Sequence, residues 1–128
     1  MTTVRGSCAC RALEYELTLP TRFVSHCHCE NCRRAHGAGF VTWAGVPSAR
    51  FRWVSETGTL RAWDTPTGSR REFCTVCGTT LTYAGPKWAG EVHVVVASLD
   101  GPVDKLPQGH AFADEAPDWC PITDELPR

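Results

Sequence analysis

The sequence predicts a mainly β domain of short antiparallel strands with one short helical segment, stapled by metal. Three observations carry that prediction. Apolar and polar residues alternate with period two in several short segments. Gly, Pro, Ser and Asp punctuate the gaps between them, as turns require. Eight cysteines occur in 128 residues, most of them clustered.

Residues 12 to 19, "ALEYELTL", form the first predicted strand: Leu13, Tyr15, Leu17 and Leu19 point one way, and Glu14, Glu16 and Thr18 the other. Pro20 ends it. "RFVSH" (22 to 26) is a short strand that runs into a cysteine triplet. "ENCRRAHG" (30 to 37) holds one or two helical turns closed by Gly37. Strands follow at 39 to 46, 50 to 54, 59 to 63, 71 to 73 and 79 to 83. "EVHVVVASL" (91 to 99) is the most apolar of them and is expected at the centre of a sheet. After Gly101 the chain is rich in Pro, Asp and Glu and reads as an irregular tail laid over the sheet. No repeat or linker interrupts the pattern, so residues 1–128 are expected to form a single domain with one core.

Composition narrows the function. Hydrophobic residues are 42% and charged residues 21%, a globular balance. The formal net charge of −1 and the lack of a basic stripe disfavour nucleic acid and anionic membranes as partners. No apolar run approaches the length that spans a bilayer, and "MTTVRGSCAC" has no signal-peptide core. The expected location is the cytoplasm. In a reducing compartment clustered cysteines point to metal ligation or thiol chemistry rather than disulfides.

The cysteines fall into three groups. Cys8 and Cys10 lie in "GSCAC", Cys27, Cys29 and Cys32 in "CHCENC", and Cys74 and Cys77 in "CTVCG"; Cys120 stands alone. Two pairs would close one tetrahedral structural site. Gly78 lets the "CTVCG" knuckle fold back under a metal, and joining it to Cys8 and Cys10 would staple the N-terminus to the middle of the chain. The triplet is one ligand short of closure. Cys120, His26, His28, His36, water or a substrate thiol could complete it. Three thiolates leave a zinc(II) unit negatively charged, a weak Lewis acid suited to a soft ligand, and a coordinated thiol is deprotonated. That predicts a thiol-binding centre in which Cys27, Cys29 and Cys32 are the catalytic metal ligands.

These motifs resemble the glutathione-dependent formaldehyde-activating enzymes, a family that includes the centromere-protein-V-type domains. The resemblance rests on "GSCAC", "CHCENCRRAHGAGF", "REFCTVCGTTL", "ASLD" and the tail "HAFADEAPDWCPITDELPR". It implies a β-tent fold and two zincs per chain. One is structural, held by Cys8, Cys10, Cys74 and Cys77. The other is accessible, held by Cys27, Cys29 and Cys32. It also implies carbon–sulfur lyase activity that adds glutathione to formaldehyde, so the expected partners are a small thiol and a small aldehyde. A homodimer is compatible with this reading. The tail departs from the family pattern at Cys120, where an apolar or aromatic residue is expected.

Other residues have simpler readings. Arg33 and Arg34 follow the triplet and are candidate substrate or cofactor-binding groups, since guanidinium groups hold carboxylates; a solvated helix face is the alternative. Arg70 and Arg71 read as surface charge. His28, between two ligands, is expected to point away from the metal, and His93 to be a core histidine. His110 has no visible partner. Trp43, Trp53, Trp63 and Trp88 read as core or sheet-face aromatics, with Trp43 and Trp88 as candidate pocket walls. The rival functions are a non-catalytic zinc-stabilised binding module, a nucleic-acid-binding zinc domain and a redox-responsive zinc–thiolate switch.

Overall fold

The computed structural model describes residues 2–128. The alternation at the start of the chain becomes strand β2 (Glu14–Thr18), with Leu13, Tyr15 and Leu17 fully buried. Each such apolar side chain stabilises the fold by about 1.5–3 kcal/mol. β2 pairs antiparallel with β1 (Thr3–Ser7) on one side and β5 (Phe51–Ser55) on the other, giving a three-stranded sheet.

The second sheet has seven strands in the order β10-β3-β4-β9-β8-β7-β6. They are β3 (Phe23–Cys27), β4 (Val41–Pro47), β6 (Leu60–Asp64), β7 (Arg70–Cys74), β8 (Thr80–Ala84), β9 (Glu91–Val95) and β10 (His110–Ala111). The apolar β9 takes the middle place, as its sequence predicts. All pairs are antiparallel except β10 with β3. The core lies between the sheets: Val4, Leu13, Tyr15 and Leu17 from the small sheet meet Val24, Ala44, Leu81 and Val94 from the large one.

Strand alternation then sends the neighbouring side chains to the opposite face of the large sheet. There one cross-strand row runs Phe23, Gly45, His93, Tyr83, Arg71, Trp63 over six strands. Helix α1 (Glu30–His36) packs over this face, with His36 edge-on to Trp43 at 5.3 Å. Gly37 closes the helix in the left-handed region, φ 60°.

The structure revises several expectations. Residues 3 to 7 form a strand that the alternation pattern does not predict, and 96 to 98 turn into a 3-10 segment rather than continuing β9. The tail is mostly irregular but contributes β10 and a 3-10 turn at Ala113–Glu115. Of the two readings open for Trp63, core or sheet face, the structure shows the second: it stands exposed on the edge strand β6. No helix among the described residues is long and apolar enough to cross a membrane.

Candidate metal centres

The sulfur atoms of Cys8, Cys10, Cys74 and Cys77 all lie within 4.8 Å of one another. Cys8 follows β1 and Cys74 ends β7, and both are buried, whereas Cys10 and Cys77 are exposed. Two turns aim the four thiols. Arg11, at φ 66°, donates its N–H to the Cys8 carbonyl; Gly78, at φ 78°, donates to the Cys74 carbonyl at 2.8 Å. The amide of Ala9 bonds the hydroxyl of Thr79, locking one turn to the other. The Thr79 hydroxyl also pushes the Cys77 thiol down to about 5, so this thiol ionises readily.

Geometry supplies a test for zinc. A tetrahedral site with Zn–S bonds of about 2.3 Å separates its sulfurs by about 3.8 Å. Cys8 and Cys10 stand 3.7 Å apart and Cys10 and Cys74 3.8 Å. The four residues fit a closed tetrahedral ion.

Cys27, Cys29 and Cys32 form a second group with the same mutual spacing. Cys27 ends β3, Cys29 caps α1 and Cys32 sits in its first turn. The Cys29 sulfur accepts the Cys32 N–H at 3.4 Å, doing what a Ser or Asp oxygen does at other helix starts. Cys27 and Cys29 sulfurs are 3.5 Å apart, which also suits a metal. Bonds from Cys27 and Cys29, reinforced by the charge of Arg71, hold the Cys32 thiol far below its ordinary range. The same mutual bonds and burial push the Cys27 and Cys29 thiols up.

Among the described residues no fourth His, Cys, Asp or Glu joins this group. Cys120 packs instead against Gly39: a Cβ on Gly39 would meet its sulfur at 2.5 Å. His26 bonds Thr42 at 2.8 Å, and His36 packs on Trp43. His28 faces away from the sulfurs into a buried chain, with Nε2 2.7 Å from Nδ1 of His110, whose Nε2 is 2.8 Å from Asp124. His110 thus has two partners, where the sequence showed none.

The triplet opens on a cavity of about 320 Å³ lined by Trp43, Tyr83, Trp88, His93 and Phe112, together with Arg71 and Lys87. Trp43 and Trp88 wall it, as the sequence allowed. Arg33 and Arg34 do not line this cavity. Arg33 bonds the carbonyls of His28 and Glu115, and Arg34 pairs with Glu30 at 3.4 Å. Arg71 overturns its reading as surface charge. It is only 5% exposed, its Nη2 lies 3.6 Å from the Cys32 sulfur, and its guanidinium stacks 4.9 Å over the Tyr83 ring. Its neighbour Arg70 points to solvent and pairs with Asp64 at 2.7 and 3.0 Å.

The fold is thus a two-sheet β protein with two cysteine groups, one of four thiols and one of three, that could each hold a metal ion. Residues 3–115 match the family described as glutathione-dependent formaldehyde-activating enzyme, and the chain belongs to that family. A Halomonas elongata protein provisionally named as such an enzyme is 24% identical over 126 residues, covering 93% of this chain and 80% of that one. An uncharacterised lyase of Schizosaccharomyces pombe is 30% identical over 84 residues, 66% of this chain and 59% of the yeast protein. A crystal structure of a Rhodobacter sphaeroides protein superposes with a TM-score of 0.66 at 28% identity, covering 80% of this chain and 97% of the other.

Proposed function

We propose that the chain is a carbon–sulfur lyase-type enzyme that adds a thiol, glutathione, to a small aldehyde such as formaldehyde at the Cys27–Cys29–Cys32 centre. One observation carries this reading: three convergent thiols, joined by no fourth His, Cys, Asp or Glu among the described residues, face a cavity large enough for a peptide-sized thiol. The family membership and the lyase-named relative support the reaction class.

A zinc ion held by these three thiolates would accept one more soft ligand and favour the ionised form of a coordinated thiol. The remaining work falls to the chain. The helix start fixes Cys29 and Cys32, the end of β3 fixes Cys27, and an aromatic wall borders the sulfurs. Arg71 offsets the negative charge that gathers on Cys32. In the addition a sulfur–carbon bond forms, the carbonyl π pair moves to oxygen, and the proton lost by the thiol ends on that oxygen. No oxidant or reductant is needed.

Exchange NMR on glutathione and labelled formaldehyde at equilibrium tests the reading. The zinc-loaded protein should accelerate exchange into S-(hydroxymethyl)glutathione above the uncatalysed rate, and Cys29→Ser should remove the acceleration. No acceleration by the wild-type protein would reject it.

A further inference from the structure

The cavity beside the triplet contains a cation with unspent hydrogen-bonding capacity. Nε and Nη1 of Arg71 are buried and have no partner. Together they carry three N–H donors. Burying a charged donor unpaired costs folding free energy, so such a group persists where a ligand or a function compensates. The Nη2 contact with Cys32 leaves these donors unused. No carboxylate lies within ion-pair distance of Arg71 among the described residues, although Arg5, Arg11, Arg22, Arg34, Arg52 and Arg70 each have one.

Its surroundings fit an anion. Lys87 lines the same cavity with no acidic partner among the described residues, held over the rings of Trp88 at 5.1 Å and Phe112 at 4.8 Å. Glu115 is the one acidic side chain on the wall among the described residues, and its Oε1 accepts the backbone N–H of Glu30 at 3.1 Å rather than neutralising either cation. Arg71 also borders a second cavity of about 380 Å³, and Asn31, Thr67 and Ser69 belong to both. The first cavity alone is lined by both the triplet and Arg71, so a molecule much larger than formaldehyde can reach the guanidinium while its sulfur lies at the triplet.

We propose that Arg71, with Lys87 at the outer rim, receives a carboxylate of the thiol substrate, so that the site selects acidic thiols over neutral ones. This rests on the thiol-binding reading above and deepens it. Arg71 then plays two parts through different atoms. Nη2 stays on Cys32, and the remaining donors hold the carboxylate beside the thiolates.

S-methylglutathione has a capped sulfur, so its binding isolates carboxylate recognition from metal ligation. Calorimetry on the zinc-loaded wild type should show it binding at least about tenfold more tightly than its diester, the scale of one charge-assisted hydrogen bond. That preference should collapse in Arg71→Met and survive in part in Arg71→Lys, which keeps the charge but loses the fork. In turnover, Arg71→Met should raise the KM for glutathione at least about tenfold more than that for 2-mercaptoethanol. Equal affinity of the wild type for acid and diester would overturn the proposal, and that arm needs no variant to fold. Equal changes for both thiols in Arg71→Met would also overturn it, leaving Arg71 as a plain counter-charge to Cys32. Absence of turnover with either thiol would instead remove the reaction reading, while the binding arm would still decide the carboxylate site.

Discussion

Nη2 of Arg71 lies 3.6 Å from Sγ of Cys32, joining strand β7 to the helix that carries the thiol triplet. The same strand ends three residues later at Cys74, a member of the four-cysteine group. One strand therefore reaches both centres. The closed group fixes the end of β7, and β7 holds Arg71 against the open group.

The two groups should differ sharply in what their loss does. Structural zinc contributes about 10–16 kcal/mol in small domains, as much as the whole stability of about 5–15 kcal/mol of a typical fold. Cys74→Ser should unfold the domain, as read by circular dichroism. Cys29→Ser should keep the spectrum and lose one zinc per chain in elemental analysis. Equal loss of structure in both variants would contradict this division.

Gly6 gives a second test. It faces Tyr15 across the β1–β2 pair, and a Cβ there would stand 2.2 Å from the Tyr15 ring. The ring cannot move freely, because it is fully buried and its hydroxyl lies 2.6 Å from Ser98 Oγ. Gly6→Ala should cost about 1–3 kcal/mol or more in urea unfolding. A change below about 0.5 kcal/mol, the range of ordinary surface substitutions, would show that the ring shifts at little cost.

Stability should also fall in mild acid. Burial pushes the His93 imidazole below its ordinary 6.5, outweighing the bond to Glu91 that pulls it up. The folded state therefore takes its proton less readily than the unfolded one. The contribution is whole above about pH 6.5 and is lost as pH falls below that value. Glu91 follows at lower pH. Against the cost of its burial, bonds from Arg22 and His93 hold its carboxyl below the ordinary 4.5, so its contribution is lost below about that pH. The urea midpoint should drop between about pH 7.5 and 5.5, and by less in His93→Gln. An equal drop in both proteins would remove His93 from the account.

Much of this was legible in the sequence, for physical reasons. Close thiol spacing in C-x-C and C-x-x-C is a local geometric constraint, and both cysteine groups form as the spacing implies. The alternation of Leu13, Tyr15 and Leu17 and the apolar run of β9 located core and centre. Three features were hidden because they depend on distant partners. β1 contains Gly6, which weakens a strand pattern until the ring of Tyr15 is seen to need that space. His110 acquires meaning only when β10 lies beside β3 and brings it to His28. Arg70 and Arg71 are adjacent and chemically identical. Only the pleat of β7, which sends one to solvent and the other to Cys32, distinguishes them. Arg33 and Arg34 were the closer candidates in sequence; Arg33 bonds two backbone carbonyls, and Arg34 pairs with Glu30 while lining the second cavity that Arg71 also borders.

The most direct test asks whether a substrate sulfur reaches the triplet itself. Selenium-edge X-ray absorption would be recorded on zinc-loaded protein bound to the selenol analogue of glutathione. A zinc neighbour at bonding distance from selenium, present in the wild type and absent in Cys29→Ser, is the predicted result. Bound selenol with no zinc neighbour in the wild-type protein would contradict a thiol-binding centre at Cys27, Cys29 and Cys32.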